Sequence, residues 1–174
     1  MSTHLVVTLI ATDRPGIVEQ IAEAVSRCEG NWLESSLSRL GGQFAGILLV
    51  EIGKAREDEL RAALAALVDK GIRITVDQAG SGDDRGQPGQ RLLLSLVAND
   101  RRGIVGEISR VLARRHVNLD NLHTSTENAP MSGELLFHAS ADIVLPPGLS
   151  REDLRDALEE LSDDLMVEIE ESEY

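Results

Sequence analysis

The residues best suited to chemistry lie in a short loop that places an acid, a base and a glycine side by side. It reads Asp13-Arg14-Pro15-Gly16-Ile17 and follows an apolar run. The carboxylate can hold an ammonium group, the guanidinium can hold an anion, and the glycine lets a ligand approach the backbone closely. If a helix begins here, its free N–H groups also attract a carboxylate. This combination makes the loop a candidate site for a small charged ligand.

The same loop occurs a second time as Asn99-Asp100-Arg101-Arg102-Gly103-Ile104, 87 positions further along the chain. At this offset, residues 5–31 and 92–118 carry the same amino acid at eleven of 27 positions, and these identities cluster at the loop. Self-similarity at a fixed spacing is the mark of repeated structural units. The chain is therefore an internal duplication with two candidate sites.

Structural roles compete with binding for these residues. Asp13 or Asp100 can cap a helix instead of holding an ammonium group, and capping is the commoner role for a single Asp. Pro15 suits the first helical position, because a proline there leaves no N–H unpaired. Asn31 and Asn118 either reach the ligand from the second strand or complete a turn. Arg14 and Arg101 either bind an anion or stay solvated, and duplication preserves both kinds of residue.

Apolar spacing predicts the elements that position the two loops. A run apolar on both faces precedes each loop and indicates a central strand, and helical spacing follows it. Gly30 is expected as the C′ residue of the first helix, and Val68 on the buried face of the second. A Gly41-Gly42 pair predicts a hairpin, and Ser150 with Asp153 a helix cap. The predicted strands are 5–11, 32–40, 44–52, 72–76, 91–98, 118–126, 134–145 and 166–169, and the helices are 16–28, 57–71, 104–112 and one after Ser150.

The resulting order, β-α-β-β-α-β, occurs twice, with the first and third strands of each half reading as buried. That pattern predicts an α+β protein of two tandem ferredoxin-like domains, each an antiparallel sheet with both helices on one face. Residues 80–90 form a polar, Gly-rich linker between domain 1–79 and domain 91–174. The uncovered sheet faces read as apolar, so we expect the two copies, or two chains, to pack there or to pair edge to edge. We also expect the protein to form a homo-oligomer.

Composition narrows the possible functions. The formal net charge is −13, which repels nucleic acids and anionic membranes. The one cysteine, Cys28, lies on an apolar helical stripe, and the four histidines lack metal-ligand spacing, so we expect no disulfide, metal or cofactor. No leader segment and no apolar run of about 20 residues is visible, which favours the cytoplasm.

Enzymatic and RNA-binding functions have little support in the sequence. No nucleophile is paired with a base and no phosphate-binding glycine motif is present, so we expect no catalytic activity. An RNA-recognition domain would need exposed aromatic residues and a basic surface. An acylphosphatase-like enzyme stays open as an alternative, since it shares the element order and needs an Arg in the first loop with an Asn nearby. Arg14 with Asn31 and Arg101 with Asn118 satisfy that requirement loosely.

The apolar strand, the Asp-Arg-Pro-Gly-Ile-Val entry to the helix and the element order resemble the ACT domain, a regulatory module that often binds amino acids. A tandem pair without a catalytic domain is similar to the glycine cleavage system transcriptional repressor family. The resemblance implies a non-enzymatic accessory regulator that contacts a transcriptional activator rather than DNA, with a small amino acid, glycine being the candidate, at the loop and helix start. A ligand-free dimerisation module is the alternative. The second copy departs from the pattern at Arg102 and Asn99. The implied ligand-binding residues are Asp13, Arg14, Pro15, Gly16, Ile17, Asn31, Asn99, Asp100, Arg101, Gly103, Ile104 and Asn118.

Overall fold

The computed structural model describes residues 1–80 and 88–172. The chain divides into two compact units, Met1–Gly82 and Asp83–Tyr174. Most of the predicted linker, residues 80–90, lies outside the described residues. The domain limits at 79 and 91 therefore stay a prediction, which limited proteolysis between these two positions tests.

The first unit is a four-stranded antiparallel sheet with two helices. Its sheet order is β2-β3-β1-β4, so β1 and β3 are central as predicted. The elements are β1 (Ser2–Thr12), α1 (Ile17–Arg27), β2 (Asn31–Leu40), β3 (Gln43–Gly53), α2 (Glu57–Ala65) and β4 (Ile72–Gln78), with 3₁₀ turns at Lys54–Arg56 and Ala66–Lys70 on either side of α2.

The second unit repeats this topology. Its sheet order is β6-β7-β5-β8, which places β5 and β7 in the centre. The elements are β5 (Gln90–Asn99), α3 (Ile104–Arg114), β6 (Asn118–Asn128), β7 (Leu135–Leu145), α4 (Arg151–Glu159) and β8 (Met166–Glu171). Two tandem ferredoxin-like α+β domains, as predicted, are therefore present.

The cores lie between each sheet and its two helices. In the first unit, Leu5 and Val7 of β1 pack with Ile21 of α1 and with Leu60 and Leu64 of α2, and all five are fully buried. Burying a side chain of this size stabilises the fold by about 1.5–3 kcal/mol. The opposite face of β1 is only half-buried. The helices therefore anchor β1, and with it the loop that follows.

Three local predictions have clear outcomes. The Ser150 cap is confirmed, because its Oγ accepts a hydrogen bond from the Asp153 N–H at 3.0 Å. Gly30 is not the left-handed residue after α1; Glu29 is, at φ 58°. A small residue is favoured at position 30 for another reason, since a Cβ there would lie 3.0 Å from Val25 Cγ1, a tight contact. Val68 is 57% exposed, because the end of the second helix tightens into a 3₁₀ turn.

Candidate ligand-binding loops

Loop 1, residues 13–16, joins β1 to α1 and is held at both ends by backbone hydrogen bonds. The Asp13 N–H donates to the Gly42 carbonyl of the β2–β3 hairpin at 3.0 Å. Gly16 takes φ +89°, and its carbonyl accepts from the Gln20 N–H at 3.1 Å. A left-handed residue at this point favours glycine. The turn therefore depends on Gly16, and the hairpin fixes the position of Asp13.

The start of α1 differs from the prediction. The N-cap is Gly16, Pro15 lies in the preceding turn, and no side chain in the described part of the chain caps the helix. Asp13 is therefore not the cap and Pro15 is not the first helical residue. The N–H groups of the first turn are left for water or a ligand, and the helix dipole favours a negative group there. Gly103 and α3 repeat this geometry at φ +86°.

An open depression of about 250 Å³ lies beside loop 1. Asp13, Pro15 and Arg14 are exposed at residue level, while the Ile17 side chain is only 2% exposed and belongs to the core. Ile17 can therefore offer backbone rather than side chain to a ligand. Phe44 is half-buried and forms an apolar wall. The lining residues are Asp13, Arg14, Gly16, Ile17, Val18, Glu19 and Phe44.

The charged side chains of loop 1 have partners of their own. The Asp13 Oδ2 lies 3.4 Å from Arg39 Nη1 in an exposed pair. The Arg14 Nη2 donates to the Lys70 carbonyl at 2.7 Å, which ties the loop to the turn before β4. The acceptor is a neutral carbonyl, so the Arg14 charge is not cancelled by an anion at this contact. Loop 1 thus keeps both signs of charge beside the depression.

Loop 2, residues 100–103, has a similar backbone but other side-chain partners. The Asp100 N–H donates to the Leu135 carbonyl at 2.8 Å. Arg101 forms a two-pronged ion pair with Glu107, with Nη1 to Oε1 at 2.8 Å. The hydrogen bonds from Arg101 lower the pKa of Glu107, and those to Glu107 raise the pKa of Arg101. The Ile104 side chain is 5% exposed and, like Ile17, is part of a core.

A carboxylate from the turn before β8 also reaches loop 2. The Asn99 N–H donates to Asp164 Oδ2 at 2.7 Å, and the Ser162 hydroxyl donates to Oδ1. The hydrogen bond from Ser162, and then that from Asn99, lowers the pKa of Asp164. Asn99 therefore gives its backbone donor to the chain itself.

Asn31 and Asn118 lie away from the loops of their own units. Asn31 is opposite Glu51, which pairs with His4, eight residues before Thr12 at the loop end of β1. At about 3.4 Å per residue, this separation is about 27 Å. Asn118 is opposite Val144, which pairs with Arg91 at the far end of β5. Neither amide can contact a ligand in the loop of its own unit, because β2 and β6 start at the other end of the sheet.

Sequence reasoning did not single out several side chains that the fold brings to the loops. Phe44 was detectable in principle: the Gly41-Gly42 turn sets the hairpin register, and pairing with β1 places Phe44 opposite Ala11. Asp164 was not, because its contact depends on the register of β8 against β5. The side chains in this group are Glu19, Arg39, Phe44, Glu107 and Asp164.

The described residues offer little for other chemistry. In 1–80 and 88–172, no three His, Cys, Asp or Glu side chains form a group that could hold a metal ion. In the same ranges, none of the helices has the length and apolar character needed to cross a membrane. Cys28 is buried, and this burial raises the pKa of its thiol. A buried thiol held in its neutral form is a poor nucleophile.

Comparison with known proteins identifies the fold. Residues 3–77 match the model of the ACT domain, whereas curated protein sequences give no significant match. A crystal structure of an unknown protein from Galdieria sulphuraria has 29% identity and a TM-score of 0.80, with 99% of both chains covered. A crystal structure provisionally assigned as a glycine cleavage system transcriptional repressor has 19% identity and a TM-score of 0.71, again over 99% of both chains. The first unit therefore matches the ACT domain, and the chain shares its fold with these two structures over nearly its full length.

Proposed function

We propose that this protein is a non-enzymatic regulator that binds a small amino acid at loop 1 and acts on transcription by contacting another protein. The observation that carries the ligand part is the open depression of about 250 Å³ beside Asp13 and Gly16. It adjoins a helix N-terminus without a side-chain cap among the described residues. A free N-terminus of this kind attracts a carboxylate.

Each part of an amino acid has a matching group in this depression. The ligand carboxylate faces the first-turn N–H groups of α1, and its ammonium group faces the carboxylates of Asp13 and Glu19. Phe44 and Val18 offer apolar surface to a side chain or to the Cα of glycine. A ligand with so few atoms gains few contacts, so we expect weak to moderate affinity.

The transcriptional part rests on likeness and charge. The repressor structure matches over the whole chain, although at 19% identity it speaks for the fold alone. A net charge of −13 opposes direct DNA binding, since the electrostatic term of such binding needs cationic groups. We propose a cytoplasmic protein that acts through a protein partner, a transcriptional activator being the family-based choice. A gel shift with the purified protein should be blank, and pull-down from extract should recover the partner.

We also expect the chain to form a homo-oligomer. The outer face of the first sheet carries Val6, Ile10 and Ile47, the last of them 47% exposed. Exposed apolar faces of this kind commonly mark association surfaces. Sedimentation velocity should give a mass above that of one chain, and a monomer at all concentrations would contradict the expectation.

Calorimetric titration with each standard amino acid, glycine first, tests ligand binding. We expect saturable heat with at least one, weakened in Asp13→Asn and unchanged in the matched variant Asp100→Asn of loop 2. Gly16→Val, although it would block close approach, is unsuitable because φ +89° strains a branched residue. Absence of heat with every amino acid would leave the ligand-free dimerisation module as the function.

The acylphosphatase alternative loses support from the geometry. Such an enzyme needs its Arg and Asn at one site, yet Arg14 and Asn31 lie at opposite ends of the sheet. We therefore expect no hydrolysis of acyl phosphates. Hydrolysis that disappears in Arg14→Ala would overturn the non-enzymatic assignment.

A further inference from the structure

The arginine of each loop has a different partner, and one residue accounts for the difference. Counting by the repeat offset, position 20 of the first unit corresponds to position 107 of the second. Glu107 binds the Arg101 guanidinium with both oxygens. Gln20 is neutral, and its buried Oε1 accepts no hydrogen bond from the described residues. The Arg14 charge therefore stays available beside loop 1, whereas the Arg101 charge is neutralised within loop 2.

The backbone donors before the two loops differ in the same direction. One step beyond the last β1–β4 pair, Ala11 with Ile72, Gly71 stands opposite Thr12. In the second unit, the last β5–β8 pair is Val97 with Met166. Two positions further along, Asp164 stands opposite Asn99, and its carboxylate accepts a hydrogen bond from the Asn99 N–H. Glycine has no side chain to place there. The place that Asp164 takes in the second unit is therefore left without a side chain in the first, where the carboxylates beside loop 1 are those of Asp13 and Glu19.

The aromatic wall also differs. Phe44 and Phe137 occupy equivalent positions, opposite Ala11 and Ala98. Phe44 is half-buried and lines the depression at loop 1, but Phe137 is 4% exposed and packs in the core. Loop 2 thus lacks the apolar wall that a ligand would contact.

From these three differences we infer that each chain holds one amino-acid site, at loop 1, and that Glu107 and Asp164 exclude the same ligand from loop 2. The inference rests on the proposed function. Glu107 holds the Arg101 guanidinium and Asp164 holds the Asn99 N–H, so these two donors beside loop 2 are already occupied when a ligand carboxylate approaches the first turn of α3. These two are specificity-determining residues: they decide which copy of the duplicated loop binds.

Equilibrium dialysis counts the sites directly. Glycine, and then each other standard amino acid in isotopically labelled form, is dialysed against the full chain. The wild type should bind one molecule per chain. The double variant Glu107→Gln with Asp164→Ala should bind two molecules per chain. Asp163→Ala, which removes an exposed neighbouring carboxylate, should stay at one. In the opposite direction, Gln20→Glu should lose the loop 1 site by pairing with Arg14.

The outcomes separate the two proposals. If no amino acid binds the wild type, the proposed function and this inference both fail. Two molecules on the wild type, or one on the double variant with unchanged affinity, would overturn the inference and leave amino-acid binding intact. Circular dichroism and thermal melting establish that each variant is folded. If Asp164→Ala unfolds, Asp164→Asn replaces it in the double variant, because it keeps the side-chain shape without the charge. That variant should also bind two molecules per chain.

Discussion

Loop 1 and loop 2 have nearly the same backbone: Gly16 at φ +89° and Gly103 at φ +86° each immediately precede a helix of eleven residues. Their surroundings differ. Arg14 binds a neutral carbonyl beside an open depression, whereas Arg101 is paired with Glu107 and Asp164 stands close by. Duplication thus preserved the turn and the cores, while a few side chains changed the electrostatics. Recurrence of a motif within one chain is evidence for a scaffold before it is evidence for a function.

The largest expected effect concerns what the loops share. Ile17 and Ile104 are 2% and 5% exposed, so Ile17→Ala and Ile104→Ala should each lower the free energy of unfolding by about 2–5 kcal/mol. Denaturant titration measures this loss of stability. The controls are Val18→Ala and Val105→Ala, at neighbouring positions that are 42% and 43% exposed. If truncating Ile17 costs no more than truncating Val18, its side chain is not part of the core and is free to contact a ligand.

The two turn glycines come next. Gly16→Ala and Gly103→Ala each force a side chain into the left-handed region and should cost about 1–2 kcal/mol. The matched control is Gly106→Ala within α3, where a Cβ meets nothing within 4 Å and alanine should stabilise the helix by about 0.5–1 kcal/mol. Thermal melts compare the three. A clearly larger loss at one turn than at the other would break the claim that the loops share one backbone.

The third prediction separates the arginines by salt dependence. Arg101→Ala removes an exposed ion pair, so its loss of thermal stability should be larger at about 0.01 M than at about 0.5 M salt. Arg14→Ala removes a bond to a neutral carbonyl, so its loss should change little with salt. Melting each variant against the wild type at both salt concentrations tests this. Equal salt dependence would mean that the two arginines have the same kind of partner.

The smallest expected effect is the pH dependence that arises from one carboxylate, that of Asp164. The pKa of Asp164 lies below its ordinary value of 3.8, because Ser162 and the Asn99 N–H donate to the carboxylate. The stability it contributes is therefore complete above pH 3.8 and is lost as the pH falls through the lower, folded pKa. The amide resonance of Asn99 should shift with a midpoint below 3.8, and Asp164→Asn should abolish that shift. The amide resonance of Thr12, which stands opposite Gly71, should not shift with this midpoint. A midpoint at or above 3.8 would mean that Asp164 is not held at loop 2.

Much of the fold was predictable because it depends on short-range patterns. Apolar runs, alternation and helical spacing predicted both βαββαβ units and the central strands β1, β3, β5 and β7. The spacing of Ser150 and Asp153 predicted the helix cap. The errors were also local. Pro15 has helix-start character, but Gly16 at φ +89° is the last residue before the helix. A left-handed conformation leaves only a weak mark in a sequence, since glycine serves many other roles.

The sequence by itself determined the duplicated scaffold and the position of the two loops, because apolar spacing and turn residues act over a few neighbouring positions. Only the tertiary structure decided which side chains meet at each loop. Asn31 was carried to the far end of the sheet by the antiparallel course of β2, and Asp164 was brought to Asn99 by the register of β8. Register depends on how whole strands pack against the helices, and a one-residue shift would have placed other side chains there. The open depression at loop 1 and the occupied Asn99 N–H beside loop 2 are consequences of that packing.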